Sequence, residues 1–164
     1  MQKKSEQVNP IIKRTKAELL NKQSVVSHSI VKNLVLDAME AMQNAYAPYS
    51  NFKVGSALLT RQHKVYKGCN IENASYSPSN CGERTAFFKA ISEGEREFVA
   101  IAIVGGNLGM ITDFCPPCGV CRQVMREFVD PEKFIVILAK NENDYMIYFL
   151  EELLPMGFGP ENLR

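Results

Sequence analysis

From Ser29 onward the apolar residues fall into a helical rhythm: Ile30, Leu34, Ala38, Met42 and Ala45 recur at three- and four-residue spacing, and Val31, Val35 and Met39 widen the stripe. This predicts one amphipathic helix that stops before Pro48. The period then changes to two. Val54, Ser56 and Leu58 alternate with Gly55, Ala57 and Leu59, and the polar turn at 61–64 leads into a second extended run at 65–70, which predicts a hairpin. A helix is predicted over 81–93, with Ala86, Phe87, Ala90 and Ile91 on its apolar face and Gly94 just past its end. Residues 98–104 form an unbroken apolar run suited to a strand buried on both faces. Gly105, Gly106 and Gly109 follow it; they lack the G-x-G-x-x-G spacing of a phosphate cradle and are expected to form a loop. A third helix over about 118–129 and strands at 134–139 and 145–150 complete the pattern.

Helix, two strands, helix, strand, helix, two strands is the order of a three-layer α/β domain. Only residues 140–144 separate the last two strands. A parallel crossover needs a dozen residues or more, so these two strands are expected to run antiparallel.

The chain has 164 residues, 46% of them apolar and 23% charged, which suits one globular domain. Its longest apolar runs, 98–104 and 134–139, are far short of the roughly 18 residues of a membrane span. The net charge of +1 hides an asymmetry. Residues 1–33 carry seven Lys/Arg (Lys3, Lys4, Lys13, Arg14, Lys16, Lys22, Lys32) against Glu6 and Glu18, so the remainder is acidic at −4. That remainder has no positive field for nucleic acid. The first stretch has no apolar core of a secretory signal and is Lys-rich where a transit peptide is Arg-rich. Residues 1–28 are therefore expected to be a basic, flexible, solubilising extension, with a tail for an acidic partner as the other reading, and residues 29–164 the domain. A cytoplasmic location, or a nuclear one, with reduced thiols is the corresponding expectation.

Five cysteines cannot all pair. Cys118 and Cys121 stand three apart at a predicted helix start, a spacing that lets two sulfurs face one ion while the helix N-terminus favours thiolate. Cys81 opens the other helix, with Glu83 two residues on. Three thiolates around zinc leave the fourth position for water, the arrangement of a catalytic site, and a nearby carboxylate that is not a ligand can relay that water's proton. His28 and His63 lie outside this group and are expected to be solvated or capping residues; Cys69 is expected to be a small buried hydrophobe.

At Cys81-Gly82-Glu83-Arg84 and Pro117-Cys118-Gly119-Val120-Cys121-Arg122-Gln123 the chain resembles the zinc-dependent cytidine deaminases of the small, homotetrameric type. The similarity extends over Tyr49-Ser50-Asn51-Phe52-Lys53-Val54-Gly55-Ser56-Ala57-Leu58, over Gly68-Cys69-Asn70-Ile71-Glu72-Asn73-Ala74-Ser75-Tyr76, and over Glu152-Leu153-Leu154-Pro155 with Phe158-Gly159-Pro160-Glu161. It covers about residues 29–164 and leaves the basic extension out. The resemblance implies a three-layer α-β-α cytidine deaminase-like fold with a five-stranded mixed sheet and its last two strands antiparallel. It implies one Zn²⁺ per subunit on Cys81, Cys118 and Cys121, with Glu83 as proton shuttle and Arg84 donating hydrogen bonds to the sulfurs. Asn70 and Glu72 match the pair that binds the ribose 3′-hydroxyl, and Phe52 an aromatic that lies against the pyrimidine. Phe158 matches an aromatic contributed to a neighbouring subunit's site. The implied reaction is hydrolytic deamination of cytidine and 2′-deoxycytidine in pyrimidine salvage. The partners it implies are a nucleoside and further copies of the chain, with neither membrane nor nucleic acid.

Two positions depart from the family pattern. Gly82 stands where many members have Ala, and its backbone N–H toward the base is kept; Pro116 stands where serine is common, and its carbonyl toward the substrate amine is kept. An alternative use of the same cysteines is a closed structural Cys₄ site that recruits Cys115, which would leave Glu83 and the Asn70 to Tyr76 segment without a role. An iron–sulfur reading of Cys115, Cys118 and Cys121 lacks the following Cys-Pro. Blasticidin-type deaminases share the zinc motifs, but the Phe158 to Glu161 tail favours the cytidine type.

Overall fold

The structure, a computed structural model, describes residues 26–163. Within this span the elements are α1 (His28–Gln43), β1 (Phe52–Thr60), β2 (Val65–Cys69), α2 (Gly82–Ser92), β3 (Phe98–Asn107), α3 (Gly119–Phe128), β4 (Ile135–Ala139), β5 (Tyr145–Phe149), the short α4 (Leu150–Leu153) and a terminal 3₁₀ turn (Pro160–Leu163). Five strands form one sheet in the order β2-β1-β3-β4-β5. The β3–β4 pair is parallel and the other three neighbouring pairs are antiparallel, the closing β4–β5 pair among them. This is the expected mixed sheet.

Alternation along the central strands explains why their sequences read as continuous apolar runs. Ala100, Ala102 and Val104 of β3 and Ile135 and Ile137 of β4 pack on one face with Val31, Leu34, Val35, Ala38 and Met42 of α1. Ile101, Ile103, Val136 and Leu138 point the other way, to Ala86, Phe87 and Ala90 of α2 and Cys121 and Met125 of α3. Both faces of these strands are covered, so no polar alternation survives. Each fully buried Leu, Ile or Phe contributes about 1.5–3 kcal/mol relative to exposure.

Helix α1 begins where Ser27 Oγ accepts the Ile30 N–H at 3.4 Å, and Asn44 closes it by donating to the Ala41 and Met42 carbonyls, two residues short of the predicted Ala45. Val26 is buried in the α1 face of the core, and exposed His28 places Nδ1 3.1 Å from the Tyr145 hydroxyl on β5. The expected boundary after residue 28 thus falls inside packed structure; the rest of the basic extension, residues 1–25, lies outside the described residues.

Two glycines set how closely the helices approach. A Cβ on Gly55 would overlap the Ala38 carbonyl of α1, and a Cβ on Gly68 would overlap the Gly82 carbonyl at the start of α2. Gly105 and Gly106, expected from their composition to lie in a loop, are strand residues instead. Both belong to β3, where Gly105 pairs with Val54 and Gly106 with Lys53. Glycine is required there because the chain folds back onto the strand: a Cβ on Gly106 would overlap the Met110 carbonyl, and one on Gly105 would come within 2.7 Å of Cys115 Sγ. Among the described residues, no helix is long and apolar enough to cross a membrane.

Candidate active site

The sheet registers bring three strand ends together. Phe52 at the start of β1 pairs with Asn107 at the end of β3, and Gly55 pairs with Cys69 at the end of β2. The connections leaving β2 and β3 at this end deliver α2 and α3, each of which has a cysteine as the residue before its first turn. Neither Cys81 nor Cys118 makes a side-chain cap bond, so both sulfurs are left available for other partners at the positive end of a helix.

Cys121 adds the third sulfur. The Sγ atoms of Cys81, Cys118 and Cys121 all lie within 4.8 Å of one another, with Cys81 to Cys118 at 3.9 Å and Cys118 to Cys121 at 3.5 Å. Tetrahedral zinc with bonds of about 2.3 Å separates its sulfurs by roughly 3.8 Å, between these two spacings, so the trio suits that ion. Cys81 is held well below the usual thiol range, at about 5, by hydrogen bonds from Cys121 first and then from Arg84 and Cys118. Cys121 moves upward for the complementary reason: it donates to the Cys81 thiolate, and it is buried. Cys115 does not belong to the trio. Burial, and after it the charges of Glu83, Cys81 and Cys118, push its thiol up to about 12, and its sulfur packs against Gly105. The closed Cys₄ alternative therefore finds no support in the geometry.

Glu83, in the first turn of α2, is 3% exposed, and its Oε2 has no hydrogen-bond partner. Burial pushes its carboxyl up to about 7, and the nearby Cys81 charge adds to the shift. A lone buried carboxyl oxygen costs stability unless something arrives to use it. Arg84 anchors its Nη2 on the Ser79 carbonyl at 3.0 Å and reaches Cys81 Sγ at 3.9 Å. Buried Gly82 separates Cys81 from Glu83, with the Gly68 and Val54 carbonyls 3.3 Å from where its Cβ would be.

Beside this centre the 70–72 segment is clamped between two others. Tyr46 donates to the Asn70 carbonyl and accepts from Glu72 N–H, while Ile71 and Asn80 exchange both backbone bonds. Asn70 is 8% exposed and uses its amide on β1, accepting from Val54 N–H and donating to the Phe52 carbonyl, both at 2.8 Å. Glu72 accepts the N–H groups of Tyr49 and Ser50 at 2.9 and 3.2 Å and the Ser50 hydroxyl. The Ser50 hydroxyl first, then the Tyr49 N–H, hold its carboxyl below the usual range. Both side chains thus face the 49–54 segment, as their two-residue spacing requires.

Glu72 also lines a cleft of about 410 Å³ with Tyr49, Ser50, Tyr76 and Ser79. Periodicity could not single out those four loop residues; Tyr49, Ser50 and Tyr76 lie inside motifs that carry the resemblance. Phe52 is partly exposed, its ring edge against Gly105. Pro116 is exposed in the loop before α3, and Phe158 is exposed on the C-terminal tail; neither lines the cleft.

Three sulfurs gathered at two helix starts, with a buried carboxyl two residues from one of them, are the equipment of a metal-assisted hydrolase. The comparisons with known proteins narrow the class. Residues 29–138 match the model of the cytidine and deoxycytidylate deaminase zinc-binding region. The chain is 44% identical over 133 residues to a cytidine deaminase of Sporosarcina psychrophila, covering 81% of this chain and 94% of that one. It is 47% identical over 131 residues to one of Halalkalibacterium halodurans, covering 80% and 96%. Among solved structures, the cytidine deaminase of Burkholderia pseudomallei superposes with a TM-score of 0.71 at 46% identity over 81% of this chain and 100% of that one. The Mycobacterium tuberculosis enzyme gives 0.66 at 35% over 77% and 95%. The chain belongs to the cytidine and deoxycytidylate deaminase zinc-binding family.

Proposed function

We propose that the protein hydrolyses the exocyclic C–N bond of cytidine and 2′-deoxycytidine, giving uridine and 2′-deoxyuridine plus ammonia in pyrimidine salvage, with one Zn²⁺ per subunit on Cys81, Cys118 and Cys121. The observation that carries this reading is Glu83: buried, two residues from one sulfur of the trio, with one carboxyl oxygen unpartnered. Zinc held there would activate a water as a Lewis acid. Glu83 would take a proton from that water as its oxygen bonds to C4 and pass it to N3; it would then carry the second proton, from the new C4 hydroxyl, to the amino group, so that the C4–N bond breaks and ammonia leaves as the C4 carbonyl forms. Arg84 and the two helix N-termini offset the net negative charge of three thiolates on a divalent ion.

Asn70 and Glu72 hold the ribose 3′-hydroxyl, Phe52 lies along the pyrimidine, and the Gly82 N–H and Pro116 carbonyl meet the base and its amine. The working unit is a homotetramer in the cytoplasm. In it, Phe158 completes a neighbouring subunit's site, in keeping with the exposure of Phe158, Met156, Leu163, Leu108, Met110 and Val120. Residues 1–25 stand outside the catalytic unit.

The experiment is incubation with cytidine and with 2′-deoxycytidine, following ammonia release, together with zinc stoichiometry and mass by light scattering. Ammonia release with one zinc per chain and a fourfold mass is expected. Stoichiometric zinc without ammonia would overturn the assignment.

A further inference from the structure

The C-terminal tail has little of its own to hold it in place. Met156 is fully exposed with φ +55°, Phe158 is 58% exposed, and Leu163 is also exposed. An aromatic side chain kept in one orientation on the surface loses rotamer entropy with no apolar burial in return. What fixes the tail is one face of α3. Arg122 donates to the Pro117 carbonyl and to the Leu153 carbonyl, both at 2.7 Å. Gln123 donates to the Phe158 carbonyl at 2.9 Å. One turn further, Arg126, its side chain only 13% exposed, forms an ion pair with Glu161. The pair lies directly on Gly159, where a Cβ would come within 2.5 Å of Arg126 Cζ and 2.6 Å of Glu161 Oε2. Gly159 N–H is bonded in turn to Asn162 Oδ1 at 2.8 Å.

We propose that the Arg126–Glu161 pair, closed over Gly159, is a latch that sets the direction of Phe158 and so tunes substrate affinity in the neighbouring subunit. This rests on the reading above that Phe158 reaches a neighbour's substrate. Arg126 and Glu161 touch no reacting atom; they are positioning residues. The latch acts on the residue after Phe158, and Gln123 holds the Phe158 carbonyl, so the backbone is held where it leaves Phe158 and the exposed ring is left free to meet a partner. Because Arg122 also holds the residue before Cys118, the same helix face ties the tail to the sulfur trio of its own subunit.

The test is a double-variant cycle on the full-length zinc-loaded tetramer with Glu161→Gln, Phe158→Ala and both together. Glu161→Gln keeps the side-chain shape and removes the charge. It is expected to raise KM for cytidine about three- to tenfold with kcat within about twofold, at unchanged zinc content and unchanged mass. Phe158→Ala is expected to raise KM further, and the double variant to be no worse than Phe158→Ala alone. Gly159→Ala, which pushes the pair apart without altering either charge, should reproduce the KM rise of Glu161→Gln. An unchanged KM in Glu161→Gln, or fully additive effects in the double variant, would overturn the latch. Loss of zinc or of the tetramer in Glu161→Gln would make the pair a general assembly contact and overturn it as well. A wild-type KM in Phe158→Ala would instead remove the role of Phe158 itself, and the latch with it.

Discussion

Cys81 and Cys118 hold the same place in two different helices: each precedes a first turn, and their sulfurs stand 3.9 Å apart. The metal centre is thus also a junction between α2 and α3, which β3 and two loops separate along the chain. Metal removal is therefore expected to cost stability as well as turnover. At a free zinc concentration about a thousandfold above Kd, binding contributes about 4 kcal/mol, and the chelated protein should melt roughly 10 °C lower than the loaded one. Calorimetry with and without a chelator checks this; equal melting temperatures would mean that the ion does not join the two helices.

Glu83→Gln separates binding from chemistry. The amide keeps the shape but cannot accept the water's proton, so zinc content should match the wild type while kcat falls by about 10²–10⁴. Stability should not fall, because the amide is neutral at every pH and so carries no cost of burying a charge at a site that is 3% exposed. Turnover within tenfold of wild type would remove Glu83 from the proton-transfer role.

The sulfur trio and Glu83 were legible in the sequence because their signal is local: short spacings at two predicted helix starts. The strand faces were legible for the same reason. Gly105 and Gly106 were not, because what makes them strand residues is the return of the chain at Met110 and Cys115, and their composition alone suggests a loop. The seat of Glu72 on Tyr49 and Ser50, and the grip of α3 on the tail, join residues more than twenty positions apart through loops without periodicity. No pattern of polar and apolar residues encodes such contacts.

The close approach at Gly68 makes another prediction, since a methyl there overlaps the Gly82 carbonyl and the Ala86 N–H of α2. Gly68→Ala should push α2 away from β2, cost about 1–3 kcal/mol, and weaken zinc binding by misplacing Cys81. Gly82→Ala is the contrast: its Cβ would stand 3.3 Å from two carbonyls, a fit that needs only tenths of an ångström, and alanine favours the helix start. Gly82→Ala should retain zinc and activity. Zinc titration of the two variants should separate them clearly; identical affinities would show that β2 does not set the position of Cys81.

Glu72 supplies the pH dependence of the cleft. Its carboxyl is held below its ordinary value of 4.5 by the Ser50 hydroxyl and the Tyr49 N–H. A carboxylate with a depressed folded-state pKa stabilises the fold above its unfolded value, and that stabilisation is lost as pH falls through the depressed one. The 49–50 loop should therefore be equally ordered between about pH 6 and 8 and loosen only in acid. Glu72→Gln places an NH₂ group among N–H donors and should raise KM for cytidine across the neutral range while zinc content stays constant. KM equal to wild type at pH 7 would exclude Glu72 from the substrate's surroundings.

The N-terminal boundary gives the last expectation. A chain starting at Val26 keeps the buried Val26 side chain, the Ser27 cap of α1 and the His28 to Tyr145 hydrogen bond. A chain starting at Ser29 loses all three. The cap alone is worth about 1 kcal/mol and the buried valine about 1.5 kcal/mol or more, so the shorter chain should melt roughly 5–10 °C lower. Removal of residues 1–25 should leave turnover and the response to zinc unchanged, which steady-state assays beside the full-length protein would show. A loss of turnover in the chain starting at Val26 would place the basic segment inside the catalytic unit, and equal melting of the two truncations would mean that Val26 and Ser27 do not anchor α1.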